Sequence, residues 1–219
     1  MDQGETIKGN GNVRVRLPES YTPGGSRRYP LLLVLGELQA EPWTTSLHEE
    51  GILPEMIVAT APHLPDGETT STPATLLTKL IAGYRILEAP AGKWICGAGH
   101  GGIVAMRAVL DHPEFFGCGA CLSGSFEGME MAPPLHSAIL KDLEERNSLP
   151  GRNRIYFDYG TLGLDECYEP YHRDLGAILR AKGWRDGNEF TIHRAQGGSH
   201  DRTSWQARLG DSLRWLAGR

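Results

Sequence analysis

The stretch Trp94-Ile95-Cys96-Gly97-Ala98-Gly99-His100-Gly101-Gly102 constrains this chain more than any other. A short apolar run meets four glycines within six residues and passes at once into Ile103 to Leu110, whose apolar residues keep a helical period. The pattern predicts a strand, a turn too sharp for most side chains, and a helix. Any fold for this sequence has to place that corner in its interior.

The rest of the chain alternates strand and helix patterns around it. Asn12 to Leu17 sets Val13, Val15 and Leu17 against Arg14 and Arg16, the period of a half-buried edge strand. Continuous apolar runs at Pro30 to Leu35, Pro54 to Thr60, Gly117 to Leu122, Arg154 to Tyr159 and Glu189 to Ala195 read as buried strands. Between them, Pro73 to Leu87, Leu135 to Leu149, Tyr171 to Lys182 and Trp205 to Leu216 read as helices, with loops at Ala61 to Thr72 and Glu127 to Pro134. Strands that alternate with helices over the whole length predict an α/β fold, a mostly parallel sheet with helices on both faces. At 219 residues the expectation is one domain, residues 1–219, with little or no cap.

Charge and composition narrow the partners. A net charge of −5 without a basic stripe gives no footprint for nucleic acid or for an anionic membrane surface. No apolar run approaches the length of a membrane span, and Met1 to Thr6 lacks the marks of a signal peptide, so a cytoplasmic chain is expected. The partner this composition suits is a small molecule. Oligomeric state has no signature here. The cysteines Cys96, Cys118, Cys121 and Cys167 are too few for a disulfide framework; three of them fall in or beside apolar segments, and buried, reduced thiols are expected. Histidines and carboxylates show no metal-ligand spacing, so no metal site is predicted.

Gly97, Gly99 and Gly102 do satisfy the G-x-G-x-x-G spacing of a dinucleotide-binding turn. Against that reading, no acidic residue ends the next strand to hold a ribose, and the motif falls mid-chain. No cofactor is expected. The same strand, turn and helix also form the frame of a nucleophile elbow, G-x-S-x-G, in which a serine on a strained turn projects its hydroxyl above the sheet. Here the central position is Gly99, so the frame is present without the attacking atom.

Downstream order supports the elbow. Gly160 to Glu166 follows a buried strand and carries the carboxylates Asp165 and Glu166, and Gly197-Gly198-Ser199-His200 follows the last strand. Elbow, acid and histidine in that order form the α/β-hydrolase arrangement. The chain resembles the esterase group of α/β-hydrolases that includes enterochelin esterase-like, esterase D-like and feruloyl esterase-like proteins. The resemblance rests on Val34-Leu-Gly-Glu with Leu53 to Val58, Gly97 to Gly102, His112-Pro-Glu-Phe-Phe-Gly with Ser123-Gly-Ser-Phe, Gly160-Thr with Asp165, and Gly198-Ser-His200 with Trp205.

The resemblance implies an α/β-hydrolase fold and a lineage of carboxylic ester hydrolysis. By position, His200 matches the general base and Asp165 the group that orients it, with Glu166 as the alternative acid. Gly36, Glu37 and His100 fall where backbone N–H groups form the oxyanion hole. Ser123 and Ser125, after a strand expected beside the elbow, are candidate substitutes for the missing hydroxyl. His63, Met129 and Met131 read as rim or wall residues.

Gly99 departs from the family pattern and can be read in three ways. It is native to chemistry without a covalent intermediate, native to a protein that only binds its ligand, or an introduced change in a serine enzyme. Correspondingly, the function is an esterase-like hydrolase that uses the His200–Asp165 pair, a lyase, isomerase or cyclase working by proton transfer, or a ligand-binding pseudohydrolase. In each the ligand is expected to be an ester or acyl compound.

Overall fold

The computed structural model describes residues 4–7, 13–36, 38–61, 71–127, 133–151 and 153–218. Glu37, His63, Met129 and Met131 lie outside the described residues, as does most of the Ala61 to Thr72 loop. The strands are β1 (Gly4–Ile7), β2 (Val13–Arg16), β3 (Leu31–Leu35), β4 (Ile57–Ala61), β5 (Lys93–Ala98), β6 (Cys118–Leu122), β7 (Arg154–Leu162) and β8 (Phe190–Ser199). They form one sheet in the order β1-β2-β4-β3-β5-β6-β7-β8. β1 and β2 are antiparallel to their neighbours, whereas β3 to β8 run parallel.

Among the described residues, six helices cover this sheet: α1 (Glu41–Glu49), α2 (Ser71–Gly83), α3 (His100–Asp111), α4 (Ala138–Glu145), α5 (Glu169–Ala181) and α6 (Arg202–Ala217). Because side chains alternate across a strand, each parallel strand feeds two cores. Leu31, Leu33 and Leu35 pack with α2, α3, α4 and α5, while Leu32 and Val34 pack with α1 and α6. Cys118 and Cys121, three residues apart on one strand, likewise fall in opposite cores, so their thiols are not brought together.

Several boundaries differ from the sequence reading, each for a local reason. β1 carries a single apolar residue, Ile7, which leaves no alternation to read. Helix α1 buries only Thr44 and Leu47, so it has no apolar stripe. Leu135 to Leu149 shortens to α4, because Pro133 and Pro134 start a 3-10 turn before it. α2 stops at Gly83, and Ile86 and Leu87 pair with Tyr29 instead. Cys96, Cys118 and Cys121 are buried, whereas Cys167 is exposed because it lies on a surface 3-10 turn; all four cysteines are free.

The largest difference concerns β7 and β8, which continue through segments read as loops. Gly160 pairs with Ala195 and Leu162 with Ser199, so Gln196, Gly197 and Gly198 bulge opposite Thr161. A bulge re-aims the residues that follow it. The Gly197 N–H donates to Thr161 Oγ1 at 2.8 Å, and the next residue beyond the strand is His200.

The elbow itself is closed by backbone packing. A Cβ on Gly97 would collide with the carbonyl of Gly101, so the strand and the helix approach too closely for any side chain there. Gly97→Ala is therefore expected to destabilise the fold by about 3 kcal/mol. A urea-denaturation midpoint unchanged from the parent chain would show that the corner is not so tightly closed.

Candidate active site

The ends of β5, β6, β7 and β8 meet at the carboxyl edge of the sheet, where ligands bind in open α/β folds. At the end of β5, Gly99 has φ +54° and ψ −124°, a conformation that side-chain-bearing residues adopt only at a cost. Its N–H donates to Leu122 O at 2.9 Å, and its carbonyl accepts from Gly102 and Ile103, which starts α3. A Cβ built on Gly99 would lie 3.4 Å from His200 Nε2 and 3.7 Å from Ser125 Oγ. The elbow position therefore faces the histidine.

His200 sits between the end of β8 and Asp201, the N-cap of α6, whose carboxylate accepts from the Ser204 N–H at 3.0 Å. Its Nδ1 is 2.8 Å from Asp165 Oδ1. The carboxylate only accepts, so Nδ1 carries the hydrogen and Nε2 turns its lone pair toward Gly99. Two rings hold the imidazole edge-to-face, Trp205 at 4.8 Å and Tyr168 at 5.4 Å between centroids.

Asp165 is completely buried in the 3-10 turn Gly163–Tyr168. Burial opposes its charge, yet donors at His200, Ser123 and Gly160 hold the carboxyl below the ordinary carboxylate range. The Gly160 N–H lies 2.7 Å from Oδ2 and the Ser123 hydroxyl 2.6 Å from the same oxygen. Glu166, in contrast, is exposed and accepts from the Gly163 N–H at 3.1 Å. The structure brings Asp165 to the histidine and leaves Glu166 at the surface.

Beneath Asp165 lies a buried ion pair that sequence reasoning missed. Arg208 on α6 donates from Nε to Asp158 Oδ2 at 3.0 Å and from Nη2 to Asp158 Oδ1 at 3.2 Å. The same Nη2 reaches Ser123 Oγ at 2.6 Å, and Nη1 reaches Ser204 Oγ at 3.0 Å. Ser123 thus accepts from Arg208 and donates to Asp165, with no exposed surface and with φ +43°. Both its hydrogen and its oxygen are engaged in this bridge. The available signal was Asp158 itself, a charge inside the buried run Ile155 to Tyr159, which demands a partner.

The two expected oxyanion donors fare differently. The His100 N–H, at the first position of α3, has no backbone partner among the described residues. Gly36, however, donates its N–H to Ala61 O at 2.9 Å, so that amide is spent on the sheet and cannot bind an oxyanion. Glu37, beside it, lies outside the described residues. Ser125 is half-buried next to Gly99, and Cys96, buried under the turn, has its thiol pushed up to about 12 by burial. Among the described residues no group of three or more metal-ligating side chains is gathered, and no helix is long and apolar enough to cross a membrane.

With this geometry in place, solved structures supply the comparison. A ferulic acid esterase superimposes with a TM-score of 0.74 at 18% identity, covering 98% of this chain and 96% of that one. The fold is that of an α/β-hydrolase. A ferric enterobactin esterase from Salmonella typhimurium matches with a TM-score of 0.74 at 19% identity, but this chain spans only 58% of that protein. A fluorophosphonate-binding serine hydrolase of Staphylococcus aureus, solved with substrate bound, matches with a TM-score of 0.69 at 12% identity over 99% of this chain. In sequence, 142 residues are 23% identical to the uncharacterized protein YbbA of Bacillus subtilis, which takes in 62% of this chain and 53% of that protein. No protein-family model matches the sequence.

Two measurements check this construction. Arg208→Met strands the Asp158 charge in the core, and unfolding free energy should fall by about 3 to 5 kcal/mol, with part recovered when Asp158→Asn is added. A loss below about 1 kcal/mol by the same denaturation assay, the value of a surface pair, would contradict the buried pairing.

The second concerns His172, which is buried, stacks on Tyr159 and contacts the Tyr168 carbonyl at 3.0 Å through Nδ1. Burial pushes its imidazole down to about 4. In the unfolded chain it titrates near about 6.5. The neutral ring therefore stabilises the fold above about pH 6.5, and this contribution is lost as pH falls toward 4. Denaturation midpoints across that window should decline, and His172→Phe should flatten the decline.

Proposed function

We propose that this protein is a hydrolase of esterase lineage that cleaves a carboxylic ester or related acyl compound without a serine intermediate. One observation carries the reading: the Cβ direction of Gly99 points at His200 Nε2, 3.4 Å away, while Asp165 fixes the other ring nitrogen. The place that a serine hydroxyl would fill suits a water molecule as the nucleophile.

In this reading His200 Nε2 takes a proton from water as the water oxygen bonds to the substrate carbonyl carbon. The oxyanion that forms accepts from the His100 N–H, assisted by the positive end of α3. Collapse breaks the bond to the leaving oxygen, His200 returns the proton to it, and acid and alcohol depart. Asp165 stabilises the imidazolium that exists between the two transfers. A buried carboxylate is suited to that task because it does not have to be desolvated during the reaction.

The half-buried His200 and the exposed start of α3 leave the site open to a small ligand. A purely ligand-binding role gives no reason for a carboxylate to orient the imidazole so strictly. Retention of the pair favours catalysis over binding alone.

Hydrolysis of 4-nitrophenyl acetate should proceed without a pre-steady-state burst, and His200→Ala should lower kcat/KM by roughly a hundredfold or more. Gly99→Ser should introduce a burst and fluorophosphonate labelling, at a cost of about 1 to 3 kcal/mol in stability from the left-handed turn. Turnover equal in the parent chain and His200→Ala would remove the basis for this function.

A further inference from the structure

A water molecule has two hydrogens to direct, and His200 Nε2 accepts only one of them. Ser125 is placed to take the other. Its N–H approaches Gly99 O at 3.4 Å, and its Oγ lies 3.7 Å from the Cβ position of Gly99, beside the 3.4 Å approach of Nε2. A water oxygen displaced from that point toward Nε2 and Oγ lies between the two groups.

The direction of the Ser125 hydroxyl is set from behind. Tyr168 is completely buried and its Oη lies 2.7 Å from Glu127 Oε1. The phenol donates there, because the carboxylate accepts. Burial and the neighbouring Glu127 push the Tyr168 phenol well above its ordinary range, so it keeps that proton. Its oxygen then has only lone pairs left to offer the neighbouring Ser125 hydroxyl. A Ser125 hydroxyl that donates there turns its own lone pairs to the space above Gly99.

We infer that Ser125 is a positioning residue for the attacking water, an acceptor held in that state by the Tyr168–Glu127 pair as His200 is held by Asp165. This rests on the reading that His200 activates water at Gly99. With both hydrogens accepted, the lone pairs of the water are left to face the substrate carbonyl. No bond forms to Ser125, and the proton still leaves through His200.

Methanol separates the two acceptors, since it has one hydroxyl hydrogen and needs only His200. With 4-nitrophenyl acetate in water containing a fixed fraction of methanol, the ratio of methyl acetate to acetate reports how well water is held, independently of the amount of folded protein. Ser125→Val and Ser125→Thr are nearly equal in size and differ in the acceptor. The valine variant should raise the ratio about fivefold, while the threonine variant stays within about twofold of the parent chain. Tyr168→Phe, which frees the Ser125 hydrogen without changing the room around Gly99, should raise the ratio in the same direction. Equal ratios in the two Ser125 variants, or an unchanged ratio in Tyr168→Phe, would overturn the proposal while His200-dependent hydrolysis stands. Turnover that does not depend on His200 would remove the underlying function and this inference together.

Discussion

A strand that must become a helix within a single residue fixes the position of every other group at this site. The corner at Gly99 closes because Gly97 lets the Gly101 carbonyl pack against it and because Gly99 takes φ +54°. Glycine adopts that angle freely, whereas any other residue would be strained there. Glycine at this position thus lets the backbone follow that path without strain. Among the described residues the first N–H of α3 has no backbone partner, and the Cβ direction of residue 99 faces His200 Nε2.

Opposite the corner, precision comes from charge that is buried and fully engaged. Arg208 ties α6 to β7 through Asp158, and its bridge through Ser123 reaches Asp165. Removing such charges from water is expensive, and the cost is offset only when each lone pair and hydrogen has a partner. That condition leaves the acid little freedom, which is what a rigid Asp165–His200 pair needs. The bulge after Gly160 completes the arrangement by delivering His200 from the end of β8.

Much of this was legible in the sequence, and the parts that were not have physical reasons. Continuous apolar runs such as Leu31 to Leu35 announced buried parallel strands, and the order of elbow, acid and histidine announced the carboxyl edge where they meet. Helix α1 was hidden because its two buried residues make no stripe. The end of β8 was hidden because glycines read as loop where they form a bulge. The choice between Asp165 and Glu166 required coordinates, since adjacent carboxylates look alike until one is buried. Arg208 gave no local sign at all, because its meaning depends on a residue of β7 fifty positions earlier. For Ser123, proximity to the elbow was foreseeable, and its hydrogen bonds to two buried charges were not, for the same reason.

The central claim is that the elbow of this chain delivers water rather than a side chain to the acyl carbon. Intact-protein mass spectrometry of samples quenched during turnover of 4-nitrophenyl acetate tests it most directly. The account predicts that the chain keeps its unmodified mass while acetate accumulates. An acetylated chain that forms and decays at the rate of turnover, with the acyl group mapped to one side chain, would contradict it.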